Sequence, residues 1–371
     1  MARKFKYYEI KETIKAYPNA FYYVIFGERS NGKTYSALSY ATERYFKNGE
    51  QFAYIRRYGE DIRPKNLGTL FAGHIENGAI SAFSRGEWTS VDYSKQRFWA
   101  VRDEDGERIL CDSPIGYAFD LNAMEHYKST SYPRVTTIIF DEFMSRSGYL
   151  PNEWILFVNT VSTIVRHRNN IKIILLGNTV NKVCPYFQEM GLTHIKDQKP
   201  GTIDLYEYGD SGLQVVCEYT ESASKRGGKD SDVYFAFDNP ELKMITSGDW
   251  EIAVYPHLNV KLRPKDTVAN FFIDYSDELL HGEVICRDDL GLFIFLHAKT
   301  SPIKDEENDI VYSDRQSERW NYRFGLTRCT DQLSRFIVQC MREGKIFYST
   351  NEVGEVFRNY VMFSDSYNIK N

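Results

Sequence analysis

A two-part α/β protein is what this sequence predicts: a mostly parallel sheet covered on both faces by helices, followed by a smaller α+β domain. Three observations carry the prediction. Short, wholly apolar runs of strand length alternate with helix-patterned segments up to residue 219, as expected of strands buried on both faces. A glycine-rich loop directly follows the first of these runs. Beyond residue 220 the composition shifts, and short strand-like runs succeed one another without helices between them. The chain has 371 residues, more than the roughly 250–300 at which single cores stop growing, so two domains are expected.

In chain order, residues 21–26 (F-Y-Y-V-I-F) read as a buried strand that stops at Gly27. Residues 35–46 follow as a helix, with Ala37, Leu38, Ala41 and Phe46 available for packing, and Gln51–Arg56 as a second strand. Residues 97–101 and 108–111 flank the turn sequence 103–106 as a hairpin. Residues 135–140 (V-T-T-I-I-F) and 171–176 (I-K-I-I-L-L) are again buried-strand runs. Between them, residues 152–166 place Trp154, Phe157, Val158, Val161 and Val165 on one helical face. Residues 212–219 add a last strand. The stretch 220–229 (T-E-S-A-S-K-R-G-G-K) is small, polar and basic, as a flexible joint would be. Residues 250–255, 270–275, 282–287 and 292–297 look like strands, and 330–343 and 351–362 like helices. The expected organisation is therefore a first domain over 1–219, a linker over 220–245 and a second domain over 246–371.

Composition narrows the function classes. Lys and Arg total 46 against 51 Asp and Glu, a net charge of −5, which argues against a uniformly basic nucleic-acid coat and leaves local basic stripes open. No window approaches the roughly 18 apolar residues of a membrane span. The opening Met-Ala-Arg-Lys-Phe-Lys runs on into polar sequence, so no secretory signal is expected. Six scattered cysteines without a Cys-x-x-Cys pair exclude a zinc ribbon and a disulfide scaffold, and suit a reducing cytoplasm.

The loop Gly27-Glu28-Arg29-Ser30-Asn31-Gly32-Lys33-Thr34 fits G-x-x-x-x-G-K-[ST]. Glycines let the backbone wrap round phosphates and present N–H groups to them at a helix N-terminus. In such a loop Lys33 reaches the β- and γ-phosphates of ATP, and the Thr34 hydroxyl takes a position on Mg²⁺. An ordinary glycine turn is the bland alternative; the flanking strand and helix argue against it. The partner motif is the apolar run ending in Asp141-Glu142. Asp141, at the sheet's C-terminal edge, would hold the magnesium, and Glu142 would orient and deprotonate the attacking water. Asn178, ending the next strand, could bond the attacking water or the γ-phosphate, or serve as a plain helix cap. Arg166-His167-Arg168 closes the preceding helix, either as a cationic C-terminus complementing the dipole or as an arginine finger for a neighbouring subunit.

These motifs, with the strings 47–58 (K-N-G-E-Q-F-A-Y-I-R-R-Y), 132–143 (Y-P-R-V-T-T-I-I-F-D-E-F), 150–153 (L-P-N-E) and 178–187 (N-T-V-N-K-V-C-P-Y-F), resemble the ATPases of phi29-type bacteriophage DNA-packaging motors, the encapsidation proteins, over about residues 20–190. The resemblance implies the additional-strand, catalytic-glutamate P-loop fold shared with large terminases. It also implies a homo-oligomeric ring, of five subunits, at the portal (connector) protein of a procapsid, pumping double-stranded DNA inward. A structural packaging RNA is a further candidate partner. Such a protein works in the host cytoplasm, transiently at the portal vertex, and is absent from the mature virion. Residue by residue, Lys33 and Thr34 match the phosphate and magnesium positions, Asp141 the magnesium carboxylate and Glu142 the catalytic glutamate. Arg166 matches the trans-acting arginine and Lys128 a second basic residue acting between subunits. Ser30-Asn31 departs from a more glycine-rich middle of the loop.

DNA grip by a packaging motor should rest on phosphates, because any sequence must pass. Lys225, Arg226 and Lys229, beside glycines, are the preferred candidates; Arg56-Arg57 with Arg63 and Lys65, Lys172 with Lys182, and Lys261-Arg263-Lys265 are others. Asp274, Asp277, Asp288 and Asp289 could form a two-metal nuclease cluster, or be solvated strand-end acids. The resemblance implies an RNase H-like second domain that keeps the fold as a vestigial nuclease and does not cut. Two alternatives stay open at this point: a nucleotide-gated binding module without sustained turnover, and a terminase-like ATPase with an active nuclease.

Overall fold

The computed structural model describes residues 7–122, 130–145, 148–179, 184–221, 255–258 and 260–366. The chain divides into two compact units. One comprises Met1–Ser145, Asn152–Lys182 and Glu189–Trp250; the other comprises Arg146–Pro151, Val183–Gln188 and Glu251–Asn371, and so takes in two short stretches from within residues 1–219.

The first unit is built on one sheet. Its strands are β1 (Tyr22–Gly27), β2 (Gln51–Arg56), β3 (Ser90–Ser94), β4 (Arg97–Glu104), β5 (Glu107–Leu110), β6 (Gly116–Asp120), β7 (Val135–Asp141), β8 (Lys172–Asn178), β9 (Thr202–Tyr208) and β10 (Leu213–Tyr219). They lie in the order β3-β4-β6-β2-β7-β8-β1-β10-β9, with β5 paired to β4. The six strands from β6 to β10 in that order run parallel; β4 with β3 beyond it on one side, and β9 on the other, add antiparallel. β8 is thus inserted between β1 and β7, the additional strand of the fold class expected from the sequence. β7 is buried along its whole length, as its unbroken apolar run requires.

Helices flank the sheet: α1 (Ile10–Ala16), α2 (Lys33–Asn48), three short helices α3 (Pro64–Leu67), α4 (Ala72–Glu76) and α5 (Ala79–Phe83), and α6 (Glu153–Val165); the short helix α7 (Pro185–Glu189) falls, but for its last residue, in the second unit. Tyr23, Ile25, Ala37, Leu38, Phe52, Tyr54, Phe98 and Ile174 belong to one buried apolar cluster on the α2 side of the sheet. The strand, helix and hairpin expectations hold to within a few residues, although α2 starts two residues before residue 35, at Lys33 itself. β3, β6 and β9 lie outside those expectations. β6 (G-Y-A-F-D) begins with glycine and ends with aspartate, so its apolar stretch is too brief to stand out. β9 has no fully buried residue and carries no hydrophobic signal of a core strand.

The second unit has a six-stranded sheet in the order β15-β14-β11-β12-β13-β16. A meander of β11 (Thr267–Tyr275), β12 (Glu278–Arg287) and β13 (Gly291–Ala298) is antiparallel. β14 (Val311–Ser313) adds parallel to β11, β15 (Tyr322–Phe324) parallel to β14, and β16 (Ile346–Tyr348) parallel to β13. Helices α8 (Gln332–Arg342) and α9 (Asn351–Ser366) supply Ile337, Cys340, Val356, Phe357 and Tyr360 to a core shared with Phe271, Ile273, Leu280 and Ile294. Of the expected strand over 250–255, residues 250–254 lie outside the described residues.

Candidate active site

The site begins where β1 stops. Gly27 has φ +152°, and a Cβ there would stand 2.1 Å from Thr220 Oγ1, so only glycine lets β1 end beside the end of β10. The loop then turns through Ser30 at φ +57° and Gly32 at φ +88°, which caps α2. The N-terminus of α2 therefore opens at the loop, the geometry that anion binding uses. The Ser30-Asn31 departure has a local explanation. The Asn31 amide donates to Thr220 Oγ1 at 2.9 Å and to the Glu221 carbonyl at 3.2 Å, fixing the loop to the end of β10.

Lys33 is buried, and its ammonium donates to the carbonyls of Glu28 (2.5 Å) and Gly27 (3.3 Å) and to Asn178 Oδ1 (3.4 Å). The Thr34 hydroxyl donates to the Asp141 carboxylate at 3.1 Å. Asp141 also accepts from the Tyr54 hydroxyl at 2.7 Å and from the Glu142 N–H at 3.1 Å. Burial pushes the Asp141 carboxyl above its usual range, against the pull of the Tyr54 bond, the Arg56 charge and the Thr34 bond. Burial and the neighbouring Asp141 push the Tyr54 hydroxyl far up, so it stays a donor. Glu142 takes φ +59°, a left-handed conformation that costs a side-chain-bearing residue about 1 kcal/mol, and its carboxylate is held by Arg56 at 2.7 Å.

These groups share a single cavity of about 330 Å³, lined by residues 30–35 together with Asp141, Glu142 and Asn178. That volume suits a small polyanionic ligand. The Thr34 hydroxyl and the Asp141 carboxylate are hard oxygen donors on one wall, the donor type that magnesium takes. The residues present therefore fit the ion.

Comparison with known proteins follows from this geometry. The model of the podovirus DNA encapsidation protein family matches residues 2–74 and 95–207, half of the chain. The chain belongs to that family. The DNA packaging protein of Bacillus phage PZA is 32% identical over 256 residues, 68% of this chain and 68% of that protein. The DNA packaging protein of Bacillus phage B103 is 35% identical over 172 residues, 45% of this chain and 47% of that protein. The aligned stretch thus spans about half the length of the B103 protein and two thirds of the PZA protein. The bacteriophage phi29 viral genome packaging motor assembly contains a chain 21% identical to this one, with a TM-score of 0.55, covering 95% of this chain and 99% of that one. That likeness speaks for the fold of this family member along nearly its whole length.

The R-H-R string at the end of α6 divides into two kinds of arginine. Arg168 is tied to the main-chain carbonyls of Tyr132, Pro133, Val135, Ile164 and Val165. Arg166, at φ +52°, donates to the Thr130 carbonyl at 3.1 Å, is exposed, and does not line the cavity of its own chain. Lys128, Lys182, Lys225, Arg226 and Lys229 lie outside the described residues.

Three of the other basic candidates for DNA contact are engaged within the chain, whereas Lys65, Lys261 and Lys265 are exposed. Arg56 pairs with Glu142, Arg57 is buried against Glu153, and the Lys172 ammonium donates to the carbonyls of Pro18 and Ala20. The sequence groups Arg56-Arg57 with Arg63 and Lys65 as a basic cluster, with contact to the nucleotide's base or a phosphate as the alternative for Arg56, because a strand end gives no hint of which acid lies across the sheet. Tyr54 was missed for the same reason. The only available signal was their common string, Y-I-R-R-Y.

In the second unit the four candidate acids do not gather. Asp274 and Asp277 stand at the β11–β12 turn, whereas Asp288 and Asp289 follow the far end of β12, about 30 Å away by strand length. Asp289 is held by Arg287 at 2.8 Å. The acid beside Asp274 is Asp314, one residue past Ser313, which pairs with Asp274 across β11 and β14. Burial raises both carboxyls. Arg315 reaches Asp277 at 2.9 Å and Asp314 at 3.9 Å, a tethered cation among the three acids.

Proposed function

We propose that this chain is an ATP-hydrolysing motor subunit that drives double-stranded viral DNA into a preformed procapsid. The observation that carries the reading is the convergence of Lys33, Thr34, Asp141 and Glu142 on one cavity, in a chain of the encapsidation family. The names of the PZA and B103 relatives, DNA packaging proteins, support the cargo.

ATP is the substrate, seated by loop residues 27–34 with its phosphates toward the N-terminus of α2. Mg²⁺ held by Thr34 and Asp141 would neutralise charge on the phosphate oxygens. Lys33 exchanges its present carbonyl partners for the β- and γ-phosphates. Glu142 releases Arg56 to accept a proton from the attacking water, and Asn178 orients that water or reads the γ-phosphate. Arg166, free of its own cavity, serves the neighbouring subunit's transition state and so couples firing round a ring of five. Loss of the γ-phosphate contacts relaxes that interface. The ring sits at the portal protein, with a structural packaging RNA as a further partner; Lys128 acts between subunits and Lys225, Arg226 and Lys229 touch DNA. Residues 220–245 serve as linker, and the second domain is a vestigial RNase H-like nuclease, a reading supported by Arg315 among its acids. The protein acts in the host cytoplasm, at the portal vertex only during packaging, and is absent from the mature virion. Among the described residues, no helix is long and apolar enough to cross a membrane.

The test is an ATPase assay with and without duplex DNA. DNA should stimulate turnover. Lys33→Ala should lower nucleotide affinity at least about tenfold, and Glu142→Gln should bind normally while hydrolysis falls roughly 10²–10⁴-fold. Slow single-turnover hydrolysis indifferent to DNA would point instead to a nucleotide-gated binding module.

A further inference from the structure

Two strings from the sequence, Y-I-R-R-Y and L-P-N-E, hold residues that the mechanism above leaves unused, Arg57 and Glu153. The fold brings them together. Arg57 follows β2 and Glu153 opens α6; both are buried, with the Glu153 side chain at 0% exposure. Arg57 Nε donates to Glu153 Oε2 at 2.8 Å and Nη2 to Oε1 at 2.9 Å, a bidentate pair. Two further donors turn to main chain: Nη1 to the Glu142 carbonyl at 3.1 Å, and Nη2 also to the Phe143 carbonyl at 2.6 Å. The guanidinium additionally lies 5.9 Å from the centre of the Phe140 ring.

What these bonds hold is the segment that leaves β7. Glu142 keeps a left-handed backbone although it bears a side chain, and such a conformation persists only where its surroundings over-determine it. The Glu142 N–H is taken by Asp141, the Phe143 N–H by the Leu176 carbonyl at 3.1 Å, and both following carbonyls by Arg57. Phe143 is wedged against β8 as well: a Cβ on Gly177 would stand 2.9 Å from its ring. One side chain, Arg57, thus bonds both carbonyls. Its fork suits the task; a lysine ammonium, a point charge on a flexible stem, could not span two carbonyls and a carboxylate together. A buried ion pair is a weak source of stability compared with an apolar pair of similar volume, so the role of this one is geometrical.

We infer that Arg57 and Glu153 are positioning residues that lock the main chain at Glu142, so that its carboxylate moves between Arg56 and the reacting water about a fixed backbone. The inference deepens the ATPase reading and rests on it. Neighbouring arginines thus act on the same glutamate in different ways, Arg56 on its carboxylate and Arg57 on its carbonyl. The pair also ties Glu142 to the first residue of α6, the helix that ends at Arg166.

The experiment compares the wild-type chain with Arg57→Lys and with Arg57→Met/Glu153→Met, in which thioethers replace the buried charges. Thermal melting, binding of a non-hydrolysable ATP analogue with Mg²⁺, steady-state hydrolysis and amide exchange across 141–144 are measured. The double variant is expected to melt within a few degrees of wild type and to bind the analogue within about threefold. Its Glu142 and Phe143 amides should exchange at least about tenfold faster. Its kcat should fall about ten- to hundredfold with KM within threefold, since a small misplacement of a reacting group is costly. Arg57→Lys, which keeps the charge beside Glu153, should show the same pattern and serves if the double variant fails to fold. Wild-type exchange at 142–143 in a folded variant, or an unchanged kcat, overturns the inference. A wild-type chain that neither binds nor hydrolyses ATP sinks the functional reading, and the exchange result still decides whether the clamp exists.

Discussion

Tyr54 holds by one hydroxyl the carboxylate proposed to bind magnesium. It is fully buried on β2 and donates to Asp141 at 2.7 Å, while Thr34 approaches the same carboxylate at 3.1 Å. A hydrogen-bonded carboxylate keeps its orientation, and loss of such a partner behind a metal ligand typically costs 10–100-fold in metal affinity. Tyr54→Phe keeps the ring and its packing and removes only the bond. The Mg²⁺ concentration for half-maximal hydrolysis should rise about tenfold, with metal-free nucleotide binding unchanged. An unaltered magnesium titration would remove Tyr54 from the site. Apart from its place in the Y-I-R-R-Y string, nothing in the sequence marks this residue, because the bond crosses between neighbouring parallel strands 87 positions apart.

At the scale of elements, the joint between α2 and α4 turns on His74. The ring is almost fully buried, stacks on Tyr35 with centroids 3.9 Å apart, and meets Ser39 Oγ (3.0 Å) and the Tyr35 carbonyl (3.1 Å) through Nε2. Burial pulls its pKa down to about 4, against the Tyr35 bond. The unfolded chain, with an ordinary imidazole near 6.5, therefore binds a proton that the folded chain refuses between those two values. Stability from this group is whole above about pH 6.5 and is lost as pH falls toward 4, by up to about 3 kcal/mol. Melting temperatures measured from pH 7.5 to 4.5 should fall in the wild-type chain, with a visibly flatter profile in His74→Gln. Parallel profiles would rule the histidine out as the cause. Since α2 carries Lys33 and Thr34 on its first turn, loosening this joint should also weaken nucleotide binding in acid.

For the assembled molecule the deciding residue is Arg166. It does not line its own chain's cavity, and the proposed ring would bring it to a neighbour's. Arg166→Ala and Glu142→Gln subunits should each be inactive alone. When mixed, they should recover part of the hydrolysis, because the Glu142→Gln subunit can lend its arginine to a neighbour with an intact glutamate. No recovery at any ratio would count against action in trans.

The sequence by itself determined the local, contiguous features. β1, β2, β7 and β8 are legible because a strand buried on both faces must be apolar throughout, and the phosphate loop because its glycines, lysine and threonine sit within eight consecutive residues. The hairpin of β4 and β5 could be read from its Asp-Gly turn. Tertiary structure alone decided which charges meet. Arg56 and Glu142, and Arg57 and Glu153, are partners, and Asp274 and Asp314 are neighbours, only because segments far apart in the chain come together in the fold. A side chain's charge is local, whereas the distance to its counter-charge is set by strand order, and no spacing along the chain encodes that distance.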